Sequence, residues 1–483
     1  MQALLKRPFH KTKIICTIGP SSSSVSRLEA MMESGMNIAR LNAAHGEFKE
    51  HAQLIRKIRT AASNTRHMVS IFMDLPGVKI RVGELANGSV MLKKGEEVVL
   101  TQRKVKATPH LIPVEYQRFS KSVDRGKIIF LNDGFIQLRV ERISGLDVHC
   151  RVLVGDRLLS HKGLNLPGAK IDIDPITHRD LEIVDFGLKH GINIFGLSFV
   201  QKPRDIFKVR NFASRRGHQV YLISKIERLG AVENFDGILD VTDAVMIARG
   251  DLGVEVPIEE VPAIQKQLIQ KANTKARPVV TATQMLESMT QNVRPTRAEV
   301  NDVANAILDG TDAVMLSEET AIGDYPVAAV RMMSKICCAT ETQRSKGNLA
   351  DEGRWVAQKI SQEGTLTITD VTSMNAFRAA QELNARYILT PTFSGSTARR
   401  ISRFKPHCWV LSLNAHQRVC DFLNFSYGVQ PVLMNKGTFP HLQAVIKFLK
   451  KSRWVKKKDT LVTTERSLSS YPGHTDSLGI VTL

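Results

Sequence analysis

Short runs of β-branched and apolar residues recur along the first two thirds of the chain, and most are separated by amphipathic segments of helix length. They lie at Lys13–Gly19, Asn37–Asn42, Val69–Leu75, Ile194–Phe199, Val220–Ile226, Ala244–Ala248, Pro278–Thr283 and Ala313–Ser317. Strand alternating with helix predicts a parallel α/β architecture, and eight such strands are the number that closes a (β/α)8 TIM barrel. One gap breaks the rhythm. Between Leu75 and Ile194 lie far more residues than a crossover needs, and Val90–Leu100, Lys127–Val140 and Val148–Val154 alternate with period two. Asn132-Asp133-Gly134, set between two apolar segments, reads as a hairpin turn. A separate β domain, residues 84–172, is therefore predicted as an insertion after the third barrel strand, leaving 1–83 and 173–343 to the barrel.

Val327–Thr340 reads as a helix and the polar stretch Glu341–Gly353 as a linker. Beyond it the alternation restarts, with a helix face at Ala376, Ala379, Ala380 and Leu383. Strands follow at Tyr387–Thr390, Trp409–Leu413, Val429–Met434, Thr460–Thr463 and Gly479–Leu483. Residues 344–483 thus form a smaller α/β domain on an open sheet.

Composition narrows the class. The chain of 483 residues is too long for one core, and 43% apolar content suits a globular protein. No apolar run is long enough to span a bilayer and the first residues lack an h-region, so a cytoplasmic protein is expected. The six cysteines form no Cys-x-x-Cys pair and read as reduced structural thiols. A net charge of +20 raises the question of nucleic acid, but the one dense basic run, Lys447–Lys458, carries few aromatics. Phosphorylated small molecules, or a host bias in composition, are the preferred explanation.

Barrel enzymes carry their reacting groups at the C-terminal ends of the strands. Here those ends offer Arg40, Asn42 and His45; Asp74, Lys79 and Arg81; Ser198; Lys225 and Glu227; Arg249 and Asp251; Thr283; and Ser317 with Glu319. Lys225 and Glu227 are two apart on a strand, so both leave the same face, as do Arg40 and Asn42. Any one of these is ordinarily a solvated charge; seven successive strand ends so furnished predict a catalytic mouth. Met246–Gly253 is its centre, read as a strand breaking into a glycine-flanked loop with free N–H groups, against the blander reading of a plain Gly-Asp turn. Glu227 and Asp251 would leave a Mg²⁺ site open for substrate oxygens, while Arg40, Arg81 and Lys225 suit a small phosphorylated acid. The amides of Gly250 and Asp251 with the Thr283 hydroxyl suit its carboxylate. No Walker-type Gly-x-x-x-x-Gly-Lys is present.

Several strings together carry a resemblance: Lys11-Thr-Lys-Ile-Ile-Cys-Thr-Ile-Gly-Pro20, Asn37-Ile-Ala-Arg-Leu-Asn42 with His45-Gly46, Lys162-Gly-Leu-Asn-Leu-Pro-Gly168, Ile223-Ser-Lys-Ile-Glu227, Ala248-Arg-Gly-Asp-Leu-Gly253, Thr281-Ala-Thr-Gln-Met-Leu-Glu-Ser288, Arg294-Pro-Thr-Arg-Ala-Glu299 and Asp302-Val-Ala-Asn305. Over nearly its whole length the chain resembles pyruvate kinases. The resemblance implies a barrel, an inserted β-barrel lid and a C-terminal domain in a homotetramer that transfers phosphoryl from phosphoenolpyruvate to ADP with Mg²⁺ or Mn²⁺, giving pyruvate and ATP. It places the metal on Glu227 and Asp251, Lys225 over the transferring phosphoryl, Arg40 on that group, and Gly250, Asp251 and Thr283 on the carboxylate. His45, Arg81 and Lys162 would face the nucleotide, and proton delivery would run through water near Thr283 and Ser317.

Departures from the family pattern carry their own expectations. Many members read Asn-Phe-Ser-His and Asp-Thr-Lys-Gly-Pro-Glu where this chain has Asn42-Ala-Ala-His45 and Asp74-Leu-Pro-Gly-Val-Lys79, and their oxygens help bind K⁺. A unit charge about 4 Å from a phosphoryl oxygen is worth roughly 4 kcal/mol at an effective dielectric near 20, so the cation is not simply dispensable. Lys79, with Asn42 and Asp74 nearby, is expected to replace it, making K⁺ unnecessary. Val78 replaces a proline, and Glu318 adds a carboxylate beside Ser317. In the C-terminal domain Ser394, Gly395, Ser396, Thr397 and Arg399 form a loop suited to a phosphate, or equally a helix cap. The family binds a phosphorylated effector there with a later loop, here Thr464–Thr475 with Arg466 and His474, and a sugar monophosphate or AMP is expected. Two other readings are a Mg²⁺-enolate C–C lyase on the same barrel, and a non-catalytic paralogue binding phosphorylated ligands or RNA.

Overall fold

The computed structural model describes residues 6, 8–169, 173–344, 346, 351–363, 366–434, 442–451, 453–465 and 475–483. Its centre is a closed barrel of parallel strands Lys13–Thr17, Ile38–Asn42, Ser70–Asp74, Ile194–Leu197, Tyr221–Ile226, Ala244–Ala248, Val279–Ala282 and Ala313–Leu316, each paired with its sequence neighbours and the last with the first. All eight coincide with the predicted runs, because strands covered on both sides by a packed interior and by helices must be apolar almost throughout. Outer helices such as Phe48–Thr65 and Pro326–Gln343 bury only their inner stripe. One family string has a structural explanation in this shell. Thr296 and Glu299 form a capping box, and Glu299 also accepts from Ser288 N at 2.7 Å, tying the segment after the seventh strand to the next helix.

The insertion is a curled six-stranded sheet, ordered Leu164–Asn165, Ile128–Leu131, Ile136–Ser144, Asp147–Val154, Glu97–Thr101, Leu111–Pro113, with a ribbon of Ser89–Met91 and Arg157–Leu159 beside it. Its period-two pattern buries Ile129, Leu131, Leu138 and Val140 in a core of its own. Asn132, Asp133 and Gly134 turn the expected hairpin with positive φ, where Leu131 pairs with Ile136.

The C-terminal sheet runs Val429–Leu433, Trp409–Asn414, Tyr387–Pro391, Thr460–Glu465, Ser477–Thr482, with only the last strand antiparallel. Two expectations need correction. Leu383 caps its helix with its side chain exposed, whereas Ala376 and Ala380 are buried in the core and Ala379 packs against it. Glu341–Gly353 is not a uniform linker: helix Pro326–Gln343 runs into it and helix Asp351–Glu363 covers its end. Glu341 is buried there and accepts the N–H groups of Lys11 and Thr12, which locks that helix end to the first strand.

The C-terminal domain closes the N-terminal end of the barrel. Phe422 and Phe425 join the cluster of Phe72, Ile194, Ile223 and Met246 inside it, with Phe422 stacked on Tyr221 at 4.1 Å and Phe425 edge-on to Phe72. Around this stopper Asp312 accepts from Val279 N and Tyr427 N and pairs with buried Lys405 at 2.9 Å. Among the described residues no helix is long and apolar enough to cross a membrane, and all six cysteines are free. The basic run starts on helix Leu442–Lys451, whose Val445 and Leu449 are buried, with Lys450 and Lys451 in its last turn, where cations favour the helix dipole.

Asp312→Ala is expected to lower stability by about 3–5 kcal/mol, because it strands the buried Lys405 charge. A drop in the urea midpoint checks it, only partly recovered in a Lys405→Met, Asp312→Ala double variant because the Val279 and Tyr427 N–H groups stay unpaired.

Candidate active site

At the open end of the barrel the strand-end groups form one buried chain of charges. Asp74, the last residue of the third strand, accepts Arg40 Nε at 2.7 Å and a terminal guanidinium nitrogen at 2.6 Å. Arg40 also donates to Thr17 Oγ1 at 2.9 Å. Lys225, only 9% exposed, places Nζ 3.4 Å from Asp74, 2.9 Å from Glu227 Oε1 and 2.8 Å from Ser198 Oγ. Glu227 Oε2 accepts the Phe199 N–H at 2.6 Å. The two-residue spacing that put Lys225 and Glu227 on one face thus ends in direct contact.

Electrostatics follow from this burial. Desolvation works against the Lys225 charge, but Asp74 and Glu227 outweigh it and hold its pKa above the ordinary lysine value. Burial likewise opposes the Asp74 charge, and Lys225 with Arg40 overcomes it, leaving that carboxyl below its usual range. Glu227 is pushed up, first by burial and then by the negative charge of Asp251, against the pull of Lys225. Two carboxylates repel across one small space.

Asp251 departs from the expected loop. The sixth strand passes straight into helix Arg249–Glu255, because the next residues already have partners in helical geometry. The Gly250 N–H, expected to be free, donates to Thr283 Oγ1 at 2.8 Å, so the hydroxyl stands where a substrate carboxylate oxygen was placed. Thr283 and Gln284 both have positive φ, 71° and 51°, strained backbone of the kind that accumulates at working sites. Arg249 turns away to Asp302 at 2.7 Å and takes the Thr283 carbonyl with its other nitrogen. That brace was missed, although Asp302 stands in one of the quoted strings.

Lys79 is not brought to Asn42 or Asp74. Asp74 is already engaged by Arg40 and Lys225, and Lys79 Nζ instead lies 3.1 Å from Asp251 Oδ1 and 3.1 Å from Asp133 Oδ1. Burial opposes its charge, but the two carboxylates raise its pKa. Asn42 Oδ1 accepts the Ala44 N–H. Ser317 donates its N–H to buried Glu319, which also holds Leu286 N, whereas Glu318 is exposed and points outward.

Arg81 and Lys162 lie side by side where the insertion joins the barrel, through the antiparallel bridge of Arg81 to Gly163 and the bond from Val82 N to Lys162 O. His45 is exposed after the second strand. A second buried group at this junction was missed: Glu255 accepts from Asn165 Nδ2 at 3.3 Å, and Arg228 lies over the Phe199 ring. Arg228 following Glu227 directly was the available signal.

In the C-terminal domain Ser394–Thr397 leads into helix Ser396–Ser402, with Gly395 at φ 78°. Thr397 Oγ1 meets Thr475 Oγ1 at 2.6 Å, so the start of one loop touches the end of the other; Arg466 and His474 lie outside the described residues. Arg399 leaves the loop. Its guanidinium covers the Phe422 ring at 5.3 Å, on the barrel side, because position 399 faces the domain junction once the helix docks.

Comparison with known proteins agrees with this architecture. Residues 9–330 match the family model described as the pyruvate kinase barrel domain, and 370–481 the pyruvate kinase alpha/beta domain. A pyruvate kinase of Thermococcus litoralis is 47% identical over 461 residues, 95% of this chain and 96% of that protein. One from Geobacillus stearothermophilus is 42% identical over 87% of this chain and 71% of its own length. The crystal structure of a pyruvate kinase from Cryptosporidium parvum superposes with a TM-score of 0.90 at 35% identity, covering 98% of this chain and 96% of that one. The barrel match runs through the inserted domain, which the lyase reading does not need, and full-length likeness to named kinases leaves no ground for the non-catalytic one. The chain belongs to the pyruvate kinase family and is an enzyme that exchanges a phosphoryl group between phosphoenolpyruvate and ADP.

Proposed function

We propose that the charge chain at the barrel mouth is the phosphoryl-transfer site, with Lys225 over the moving group and Arg40 holding its outer oxygens. The observation that carries this is a lysine and an arginine, both pinned by Asp74, beside buried Glu227 and half-buried Asp251. Fixed cations of this kind need no reorganisation as charge shifts from the bridging oxygen to the enolate. The Asp251 backbone takes the substrate carboxylate, joined by Gly250 and the Thr283 hydroxyl once the carboxylate replaces the bond between those two, and Thr283 with Ser317 orders the water that protonates the enolate carbon. His45, Arg81 and Lys162 take the nucleotide; the last two sit at the lid junction, so closing the lid carries them inward.

The family uses a divalent metal, and Glu227 with Asp251 fits it. Both are hard oxygen donors, and burial, with the negative charge of Asp251 added to it, holds the Glu227 pKa up, a condition that a cation relieves. When bound, Mg²⁺ or Mn²⁺ supplies positive charge to the phosphoryl oxygens.

Lys79 makes the enzyme independent of K⁺, since its ammonium stands in the same mouth on Asp251. Residues 1–83 with 173–343 form the catalytic barrel, 84–172 the lid, and 344–483 the effector and subunit-contact domain of a cytoplasmic homotetramer. Ser394, Gly395, Ser396 and Thr397 bind a phosphorylated effector, a sugar monophosphate or AMP, with Arg399 bracing their helix on the barrel instead of touching the ligand.

A coupled assay with phosphoenolpyruvate, ADP and Mg²⁺ in tetramethylammonium buffer should show full turnover, with no stimulation by KCl at constant ionic strength. Lys79→Glu should lose most of that turnover; a several-fold rise of the unaltered enzyme with K⁺ removes the Lys79 reading. Lys225→Met is expected to cost roughly 10²-fold or more in kcat, the scale of losing a fixed electrostatic donor. Titration with sugar monophosphates and AMP should activate the enzyme but not Ser394→Glu; an equal response in both removes the effector assignment.

A further inference from the structure

The hairpin tip of the inserted domain presents Asp133 to Lys79, and the same ammonium bonds Asp251 of the barrel, both at 3.1 Å. Asp133 can do this because Asn132 and Asp133 adopt φ of 51° and 54°, turning the tip toward the barrel, where Gly134 approaches Val254. A second feature of the insertion fits the lysine independently. A Cβ on Gly163 would lie 2.5 Å from Lys79 Cε and 3.3 Å from Nζ, so any side chain there would displace the end of Lys79 from its present place. Both surfaces that aim Lys79 therefore belong to the lid, while the carboxylate it aims at belongs to the barrel.

We propose that Asp133 and Gly163 are positioning residues through which the lid decides where Lys79 places its charge, and so how tightly the barrel holds its divalent cation. This rests on Asp251 being a metal ligand, as read above. An ammonium bonded to Asp251 competes with a metal ion for the same oxygen and repels it. With the lid down, Asp133 gives Lys79 a second carboxylate to move onto, so the ion enters without leaving the ammonium unpaired. With the lid raised, Asp133 is gone, Lys79 returns wholly to Asp251, and the metal is disfavoured. Coupling of this kind is reciprocal, so metal binding must in turn favour the lowered lid.

The test is Mn²⁺ binding to the full-length protein without substrates or K⁺, read from the electron paramagnetic resonance signal of free Mn²⁺. Asp133 is largely exposed, so Asp133→Asn leaves the fold intact. Its Mn²⁺ Kd should rise about tenfold, the lower end of the range for groups that orient metal ligands. Asp133→Glu should restore most of the affinity, and Gly163→Ala should weaken binding in the same direction. Mn²⁺ should slow amide hydrogen exchange across residues 128–136 in the unaltered protein and not in Asp133→Asn. An unchanged Kd and unchanged exchange in Asp133→Asn overturn the coupling while leaving the metal site standing. Mn²⁺ binding undiminished in Glu227→Gln instead overturns the site reading itself.

Discussion

Burial of Lys225 beside Asp74 and Glu227 is the constraint around which the rest is arranged. A charge withdrawn from water survives only with close partners of opposite sign, and removing one partner costs about 3–5 kcal/mol. Asp74 therefore has to serve two cations, Arg40 and Lys225, and Glu227 has to lean on both Lys225 and the Phe199 N–H. On its inner side Asp74 engages both cations through Oδ2 and leaves Oδ1 buried without a hydrogen bond, while on the outer side Glu227 is raised by burial and by Asp251. Glu227 thus stands raised beside two fixed cations, while Asp251 has the Lys79 ammonium at 3.1 Å.

The opposite end of the barrel has the reverse character. Phe422 and Phe425 fill it, and Asp312 with Lys405 seals the rim. Chemistry at the C-terminal ends of the strands and stability at the N-terminal ends is the usual division in this architecture. Here stability at the lower end is supplied by another domain, and this gives helix Ser396–Ser402 a mechanical position. Its start carries the Ser394–Thr397 loop. Its far end holds Arg403, which donates to Thr274 O on a barrel helix and pairs with Asp370. Asp370 also receives Arg400 and caps its own helix with Thr367. A ligand at the loop would therefore act on a helix already fastened to the barrel.

The inserted domain meets the barrel through polar links that include Lys79 to Asp133, Asn165 to Glu255, the Arg81 bridge to Gly163, Arg81 to His161 O and Val82 N to Lys162 O. Few apolar side chains join the two, since each has a core of its own. An interface held by polar contacts separates at less cost than one that exposes a core, which is the property a lid requires.

The sequence alone determined the eight barrel strands, the inserted sheet, its hairpin turn and the C-terminal sheet, because each is written in a local period of two or in a continuous apolar run. It also determined which side chains share the mouth, since strand alternation sends Lys225 and Glu227 to one face. Partner choice was decided only by tertiary structure. Lys79 bonds Asp133 across 54 positions and Asp251 across 172, Arg249 turns to Asp302, and Arg399 faces the barrel in place of the loop beside it. Periodicity specifies the face a residue occupies, whereas pairing depends on barrel closure, on the lid folding back over the third strand, and on the C-terminal domain docking beneath. These are long-range events, and they reach no window of neighbouring residues.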